Sequence, residues 1–241
     1  MKLHFRIFRF DPYTDRQPYF DEYEVRAEPT ERILDCINRI RWEQDGTLAY
    51  RMSCGHGVCG SCAMKINGRC ALACQKLAKD YQGQLITLEP LPAFRVLKDL
   101  IVDLRPFFDK VRIIRPYLIA PEPPPEKERH QAPDDRARLD QVIRCILCAC
   151  CVASCPVSNK EERFLGPAPL VWAFRFIFDS RDVDKQARLR QLDDPQGAWG
   201  CENHFECTRV CPKEIPVTKS INIIKKEIKK MKGQQFTKGE S

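Results

Sequence analysis

Apolar and polar residues alternate near the start of the chain with the two-residue period of β-strands. The alternation is clear over residues 2–10 and weaker over residues 20–27, and Asp11-Pro12 opens the polar stretch between them. This arrangement predicts a β-hairpin. Thr30 is then placed to cap a helix. The apolar residues of that helix share one face: Ile33, Leu34, Ile37 and Ile40.

The pattern changes twice more before the middle of the chain. Residues 84–89 predict a strand bounded by Pro90. Residues 96–108 are amphipathic, which predicts a helix that leads out of the first domain. Residues 116–133 hold six prolines among charged side chains. Such a composition predicts an extended connector with no core of its own.

Beyond the connector, the apolar residues follow the spacing of helices. Helices are predicted over residues 140–151, 168–178 and 181–192. Pro216 is placed to open a last helix, because proline is well tolerated in a first turn. The apolar stripe of that helix is Ile221, Ile224, Ile228 and Met231.

The chain has 241 residues, and the pattern divides it into an α+β domain over residues 1–104 and an all-α domain over residues 105–241. Charged residues make up 30% of it, and no apolar run approaches the roughly 20 residues that cross a bilayer. Its start lacks the apolar core of a signal peptide. Any membrane role is therefore expected to go through partners. The net charge is +7. The basic residues are not interleaved with aromatic residues, so no nucleic-acid partner is expected.

Fourteen cysteines carry the candidate chemistry. Residues 145–156 read C-x2-C-x2-C-x3-C-P, the ligand run of bacterial-type ferredoxins. In such a run three thiolates hold one iron–sulfur cluster and the fourth belongs to a second cluster. Residues 201–212 form a matching run, except that His204 stands where the second cysteine is expected.

Exchange of the last cysteine between the two runs assigns the ligands. One cluster receives four thiolates, as [4Fe–4S] requires: Cys145, Cys148, Cys151 and Cys211. The other receives three, which suit a [3Fe–4S] cluster: Cys155, Cys201 and Cys207. His204 as ligand to a fourth iron is the alternative, because imidazole replaces thiolate in some clusters.

A third group of cysteines lies in the first domain. Cys54, Cys59 and Cys62 have the C-x4-C-x2-C spacing of a plant-type [2Fe–2S] cluster, which needs a fourth cysteine further on. Glycines between them allow left-handed turns that bring backbone N–H groups close to the sulfurs. His56 lies inside this loop, and we interpret it as exposed rather than as a ligand.

The fourth ligand follows from a turn. Asn67-Gly68 is a strong hairpin signal, and folding there places position 73 opposite Cys62. Cys74 therefore returns to the cluster, whereas Cys70 faces Lys65 further out along the hairpin.

Structural zinc and disulfides are the alternatives for these cysteines. Two runs that each end in Cys-Pro do not divide into zinc tetrahedra, and a chain without a signal peptide favours metal over disulfides. Three cysteines, namely Cys36, Cys70 and Cys150, are left over and are interpreted as small buried hydrophobes.

Three clusters in one chain predict a conductor of single electrons. The sequence contains no recognisable nucleotide loop and no Ser/His/Asp set. The chemistry at either end is therefore expected to belong to other subunits, such as one that holds a flavin.

With these residues assigned, the chain resembles the iron–sulfur subunits of succinate dehydrogenase and fumarate reductase, the complex II family, from about residue 3 to about residue 230. The matching segments are residues 51–64, 66–68, 72–74, 145–151, 166–168, 175–176, 179–182, 201, 207 and 211–213. The resemblance implies a β-grasp plant-type [2Fe–2S] ferredoxin domain followed by an all-α bacterial-ferredoxin-like domain that carries two clusters. It also supports three thiolates for [3Fe–4S], since the family lacks a cysteine at the position of His204.

The resemblance implies partners as well. Electrons would pass between the FAD of a catalytic subunit and a quinone at the membrane, through [2Fe–2S], [4Fe–4S] and [3Fe–4S] in that order. Membrane-anchor subunits, which carry haem b in some members, would hold the chain as a peripheral protein on the cytoplasmic face of the inner membrane.

Two positions depart from the family pattern. Many ubiquinone-using members have tryptophan just after the Cys-Pro of the first run, whereas Pro156 here is followed by Val157-Ser158-Asn159. Glu202 stands where some members have a histidine that faces a haem. Pro156 remains the one predicted quinone contact, and the departures favour menaquinone.

Other classes make different predictions. The iron–sulfur subunit of a thiol-linked fumarate reductase or a glycerol-phosphate dehydrogenase would be expected to show further cysteine-rich motifs near the C-terminus. A stand-alone ferredoxin would be acidic and compact, and a zinc-stapled module would contain no sulfide. The sequence does not decide between succinate oxidation and fumarate reduction, because a conductor works in both directions.

Overall fold

The alternating segments at the start of the chain form the predicted hairpin. In the computed structural model, which describes residues 1–238 and side chains through residue 233, β1 (Lys2–Arg9) pairs antiparallel with β2 (Tyr19–Arg26). Side chains on one face of β1, among them Phe5 and Ile7, are fully buried. The buried face of this hairpin becomes one wall of the core.

The hairpin is part of a five-stranded sheet. The other strands are β3 (Ala63–Ile66), β4 (Arg69–Leu72) and β5 (Leu85–Glu89), and the order across the sheet is β2-β1-β5-β3-β4. β1 and β5 run parallel, while the other neighbours are antiparallel. Helix α1 (Ile33–Glu43) shares one hydrophobic core with the sheet, which is a β-grasp arrangement.

The predicted cap of α1 is wrong. The helix begins at Ile33, and its N-cap is Arg32, whose backbone N–H donates to the Asp35 carboxylate at 3.0 Å. Arg32 is extended and bridges to Leu77. This pairing holds the residues before Ile33 out of the helix, so Thr30 lies too early to cap it.

The helix predicted over residues 96–108 is also wrong. The segment forms two short strands, β6 (Val96–Lys98) and β7 (Ile101–Val102), and α2 begins only at Arg105 and ends at Ile113. Asp99 lies between the strands in the left-handed region, with φ 45°. Its buried carboxylate accepts bonds from the Arg9 guanidinium, Phe10 N and Ala49 N, and these long-range bonds outweigh the helical periodicity.

Helices make up the rest of the fold, and residues 116–132 between α2 and α3 contain no helix or strand, as predicted. The helices are α3 (Pro133–Ala137), α4 (Cys150–Ala153), α5 (Pro167–Ile177), α6 (Lys185–Leu192), α7 (Glu206–Arg209) and α8 (Val217–Lys238). Single 3₁₀ turns occupy Ala73–Gln75, Ala78–Tyr81, Val142–Arg144 and Ala198–Gly200. α5 and the buried stripe of α8 confirm two predicted helices.

α6 begins later than predicted, because Asp182 is used in a turn. Its carboxylate accepts the N–H groups of Ile119 at 3.0 Å and Asp184 at 2.9 Å, and it pairs with the buried Arg188. Residues 181–184 therefore form a turn before the helix instead of joining it.

The chain divides into two compact units. The first contains Met1–Leu104 together with Ile146–Ser154, and the second contains Arg105–Cys145 and the residues from Cys155 onward. Most of the first cysteine run is thus part of the unit that holds the sheet.

Candidate metal centres

The first candidate centre is the loop between α1 and β3. The three glycines between Cys54 and Cys62 all adopt left-handed backbone conformations, with φ of 65° at Gly55, 70° at Gly57 and 74° at Gly60. Such conformations are open to glycine at little cost. They turn successive backbone N–H groups toward the cysteine side chains.

The sulfurs in this loop accept several backbone hydrogen bonds. The Cys54 sulfur accepts N–H groups from His56 at 3.3 Å, Val58 at 3.4 Å and Cys59 at 3.3 Å. The Cys59 sulfur accepts those of Cys54 and Ser61, both at 3.5 Å. Donors clustered around sulfur stabilise the charged thiolate, which is the form that binds iron.

The four predicted ligands of this centre form two different pairs. Burial raises the pKa of Cys59, but hydrogen bonds involving Ser61 and Cys54 outweigh it and lower the pKa to about 6. Cys62 and Cys74 are only 3% and 4% exposed. Burial raises the pKa of Cys62 to about 12. One pair is therefore held by backbone donors near the surface, and the other lies in the core.

The hairpin predicted from Asn67-Gly68 is confirmed. Ile66 pairs with Arg69, and Lys65 pairs with Cys70. The Ala73 N–H donates to the Cys62 carbonyl at 3.1 Å, so the chain returns to the loop at Cys74. His56 is exposed, as expected.

The two cysteine runs have the same backbone conformation at equivalent positions. Leu147 and Asn203, at equivalent positions, have φ of 53° and 61°, and Ala149 and Phe205 both have φ of 64°. A 3₁₀ turn precedes each run, and a four-residue helix follows each left-handed pair. Left-handed residues interleaved with right-handed ones form concave nests of N–H groups that are common in iron–sulfur sites.

This repeat has two consequences. The continuous helix predicted over residues 140–151 is wrong, because Leu147 and Ala149 interrupt it. The register inferred from spacing is confirmed in the backbone, and His204 occupies the position of Cys148. The His204 ring bonds the Glu202 carboxylate at 3.0 Å, and their side chains are 44% and 67% exposed.

Three cysteines share an environment in the second unit. Cys155 and Cys207 are buried, and Cys201 is half-buried. Burial raises the pKa of Cys207, a hydrogen bond with Thr218 opposes the rise, and the like charges of Cys155 and Cys201 add to it. These three are the predicted [3Fe–4S] ligands.

Thr218 is a residue that the sequence analysis missed. Its hydroxyl lies 3.4 Å from the Cys207 sulfur and 3.1 Å from the Thr208 hydroxyl, and Thr218 is 1% exposed. Nothing in the spacing of the cysteines points to it, because α8 brings it to Cys207 only in the folded unit.

The remaining predicted ligands are divided by the unit boundary. Cys148 and Cys151 belong to the first unit, and Cys145 and Cys211 belong to the second. The leftover cysteines are buried, as predicted: Cys36, Cys70 and Cys150. Burial raises the pKa of Cys36 to about 11. A side-chain hydrogen bond with Cys148 and burial raise that of Cys150.

The turn after Cys155 contains the predicted quinone contact, Pro156, which is half-buried. The Asn159 amide donates to the Cys155 carbonyl at 2.9 Å and fixes this turn. The Ser158 hydroxyl is buried without a hydrogen-bond partner among the described residues. The segment after Cys155 thus contains a buried polar group, the Ser158 hydroxyl, that the sequence pattern did not indicate.

The sulfur environments fit iron–sulfur clusters. Among the described residues, no three His, Cys, Asp or Glu side chains are arranged to hold a single metal ion. A cluster instead distributes its thiolates over several irons, so the fit depends on thiolates with nearby donors. Cys54 and Cys59 have backbone donors, and Cys207 has a hydroxyl. Within residues 1–238, none of the helices combines the length and hydrophobicity needed to span a bilayer.

Two family models match different parts of the chain. A family model described as a 2Fe-2S iron-sulfur cluster binding domain matches residues 4–109. A second, described as a 4Fe-4S dicluster domain, matches residues 141–215. The two models cover the first loop and both cysteine runs.

Whole-chain relatives agree with the family models. The succinate dehydrogenase iron-sulfur subunit of Coxiella burnetii is 41% identical over 227 residues, 93% of this chain and 96% of that protein. The mitochondrial succinate dehydrogenase [ubiquinone] iron-sulfur subunit of Candida glabrata is 41% identical over 229 residues, 93% of this chain and 90% of that protein. A chain of the Mycobacterium smegmatis Sdh1 complex in the apo form superposes with a TM-score of 0.87 at 28% identity, covering 94% of this chain and 95% of that one. The chain therefore belongs to the family of succinate dehydrogenase iron–sulfur subunits.

Proposed function

We propose that the chain is the electron-transfer subunit of a membrane-bound succinate:quinone oxidoreductase or quinol:fumarate reductase. It would relay single electrons between the FAD of a catalytic subunit and a quinone. The observation that carries this proposal is the backbone repeat of the two cysteine runs, in which His204 replaces one cysteine. A repeat with four thiolates for one cluster and three for the other is suited to a chain of one-electron centres.

The proposed ligands follow the sequence assignment, and each cluster supplies a centre that gains or loses one electron at a time. The [2Fe–2S] cluster would be held by Cys54, Cys59, Cys62 and Cys74. The [4Fe–4S] cluster would be held by Cys145, Cys148, Cys151 and Cys211. The [3Fe–4S] cluster would be held by Cys155, Cys201 and Cys207.

The residues around these ligands give each centre a different environment. The backbone donors to Cys54 and Cys59 favour the more negative, reduced state of a cluster, because hydrogen bonds to sulfur help to set its potential. Cys207 is buried, and the Thr218 hydroxyl lies 3.4 Å from its sulfur, where it can donate to the thiolate form. These differences give the chain a means to set potentials along the path.

The partners would lie at the two ends of the path. A flavoprotein would supply FAD, and membrane-anchor subunits, with haem b in some forms, would hold the chain on the cytoplasmic face of the inner membrane. Pro156 would contact the quinone. The absence of tryptophan at residues 157–160 favours menaquinone, and the unpartnered Ser158 hydroxyl fits a site that receives a polar group.

Low-temperature EPR of the purified complex, combined with iron and sulfide analysis, tests the proposal. About nine irons per chain are expected, as two-, four- and three-iron clusters require. A [3Fe–4S] signal is expected in the oxidised complex, and [2Fe–2S] and [4Fe–4S] signals on reduction. Zinc in place of iron, or protein without acid-labile sulfide, would contradict the proposal.

A further inference from the structure

Gly60 lies in direct contact with the first cysteine run. A Cβ atom placed on Gly60 would lie 2.9 Å from Cys148 Cβ, 3.0 Å from Cys148 Cα and 3.2 Å from the Ile146 carbonyl oxygen. Both segments belong to the first unit. The neighbours are mainly backbone and Cβ atoms, so they cannot turn away as the end of a long side chain would. Only a glycine allows the two segments to approach this closely.

The other left-handed glycines of the loop are different. A Cβ on Gly55 would find only the Arg32 guanidinium nearby, at 3.7 Å, which is an ordinary contact. A Cβ on Gly57 would meet the end of the flexible Gln75 side chain. The left-handed backbone alone explains glycine at Gly55. At Gly60 the close approach to Cys148 is an additional requirement.

The two segments that meet here carry ligands of different proposed clusters. Gly60 is followed by Ser61 and Cys62 and preceded by Cys59, so its position fixes that of the [2Fe–2S] loop. Cys148 is a proposed ligand of [4Fe–4S]. We propose that Gly60 is a positioning residue for electron transfer, which holds these two ligand loops in backbone contact and so sets the separation of their centres.

This inference rests on the proposed function, because it requires both clusters. The step that Gly60 serves moves one electron, so that one centre is oxidised as the other is reduced and no bond forms or breaks. Electron transfer between centres in a protein slows steeply as they move apart. A protein interior is close-packed, so an added methyl group at Gly60 must separate the loop from Cys148.

Gly60→Ala in the intact complex tests the inference, with Gly83→Ala as its matched control. Both substitutions place a side chain on a left-handed residue of the first unit, with φ 74° in each case. A Cβ on Gly83 would have no atom within 4 Å, so only Gly60→Ala introduces a clash with Cys148. The readout is the spin relaxation of the reduced [2Fe–2S] signal, measured with [4Fe–4S] oxidised and then reduced. The rate of electron transfer between the two centres is measured after rapid reduction.

In the wild-type complex, reduction of [4Fe–4S] is expected to speed the relaxation of the [2Fe–2S] signal. Gly60→Ala is expected to weaken this effect and to slow the transfer several-fold, while Gly83→Ala keeps both at the wild-type level. Equal effects of the two variants, or no effect of either, would overturn the inference while both cluster signals still uphold the proposed function. Absence of the cluster signals from the wild type would instead overturn the proposed function.

If the Gly60→Ala variant does not assemble with its clusters, a measurement on the wild type is needed instead. The wild type then decides the matter, because relaxation of the [2Fe–2S] signal that is independent of the [4Fe–4S] oxidation state would rule out the close separation.

Discussion

The two cysteine runs share a backbone but have different surroundings. Ala149, in the first run, is 1% exposed, whereas Phe205, at the equivalent left-handed position of the second run, is 49% exposed. Cys150 is fully buried beside Cys148, whereas its counterpart Glu206 pairs with Arg209 at the surface. One backbone conformation therefore presents the proposed ligands in two environments, and the side chains between them account for the difference.

The comparison separates what the ligand spacing determines from what it leaves free. The second run keeps the two left-handed residues and the helix that follows them although His204 replaces a cysteine, so the turn does not require a cysteine at that position. The turn does not decide how exposed each of its positions is. That depends on the residues that surround the run, which bury Cys150 but leave Phe205 exposed. The proposed difference in cluster type then comes down to one side chain, Cys148 or His204.

The largest effect is expected from removing a proposed ligand of the first run. Cys151→Ala is expected to abolish the [4Fe–4S] signal and to lower the iron content by up to about four per chain, because three thiolates remain. Cys150→Ala is the matched control, since its side chain is buried next to the same ligand. It is expected to keep the signal and to cost about 1–2 kcal/mol of stability from the small cavity.

Iron analysis and EPR of the reduced complex measure both variants. Loss of the [4Fe–4S] signal from Cys150→Ala together with its retention in Cys151→Ala would reverse the assignment of ligand and buried thiol in the first run.

The next largest effect is a gain of one iron in the second run. His204→Cys places a thiol at the position equivalent to Cys148 and is expected to convert the three-iron centre to a four-iron centre. The oxidised-state [3Fe–4S] signal would then disappear, and iron would rise by about one per chain. His204→Ala removes the imidazole without adding a thiol, and it is expected to keep the three-iron signal.

These two variants also test the alternative role of His204. Conversion or loss of the oxidised-state signal in His204→Ala would indicate that the imidazole acts on the cluster directly. An unchanged signal in His204→Cys would mean that the shared backbone does not bring position 204 to the cluster.

A smaller effect is expected where the surroundings alone change. Thr218→Val keeps the shape of the side chain but removes the hydroxyl 3.4 Å from the Cys207 sulfur. A deprotonated Cys207 can only accept this bond, so its loss is expected to lower the potential of the three-iron centre. One hydrogen bond of about 1 kcal/mol corresponds to a shift on the order of tens of mV.

Redox titration followed by EPR measures this shift. Ser220→Ala is the control, because its hydroxyl is in the same helix but donates to the Pro216 carbonyl. An equal shift in both variants would point to a general change in α8 instead of the bond to sulfur.

Much of the fold and of the candidate ligand set could be predicted because it is encoded locally. The Asn67-Gly68 turn fixes the register that returns the chain at Cys74, and the spacing of the cysteine runs reveals their repeat. The helix expected over residues 96–108 failed because Asp99 bonds residues far away in the chain. Thr218 and the contact of Gly60 with Cys148 were not predictable for the same reason, since only packing brings those residues together.

The smallest effect concerns the backbone that the two runs share. Ala149 is held at φ 64°, a conformation that costs an L-residue about 1–2 kcal/mol. Glycine avoids this cost but loses about 0.5–1 kcal/mol of backbone entropy on folding, so part of the cost is recovered. Ala149→Gly is therefore expected to raise the unfolding temperature of the complex by about 1–3 °C. Ala153→Gly is the control within α4. It is expected to lower the unfolding temperature by a similar amount, because glycine loses more backbone freedom than alanine when it is fixed in a helix. Scanning calorimetry at one heating rate compares the two variants. A decrease in both would show that the left-handed turn at Ala149 is not strained, and that its shape comes from the surrounding side chains instead of the run itself.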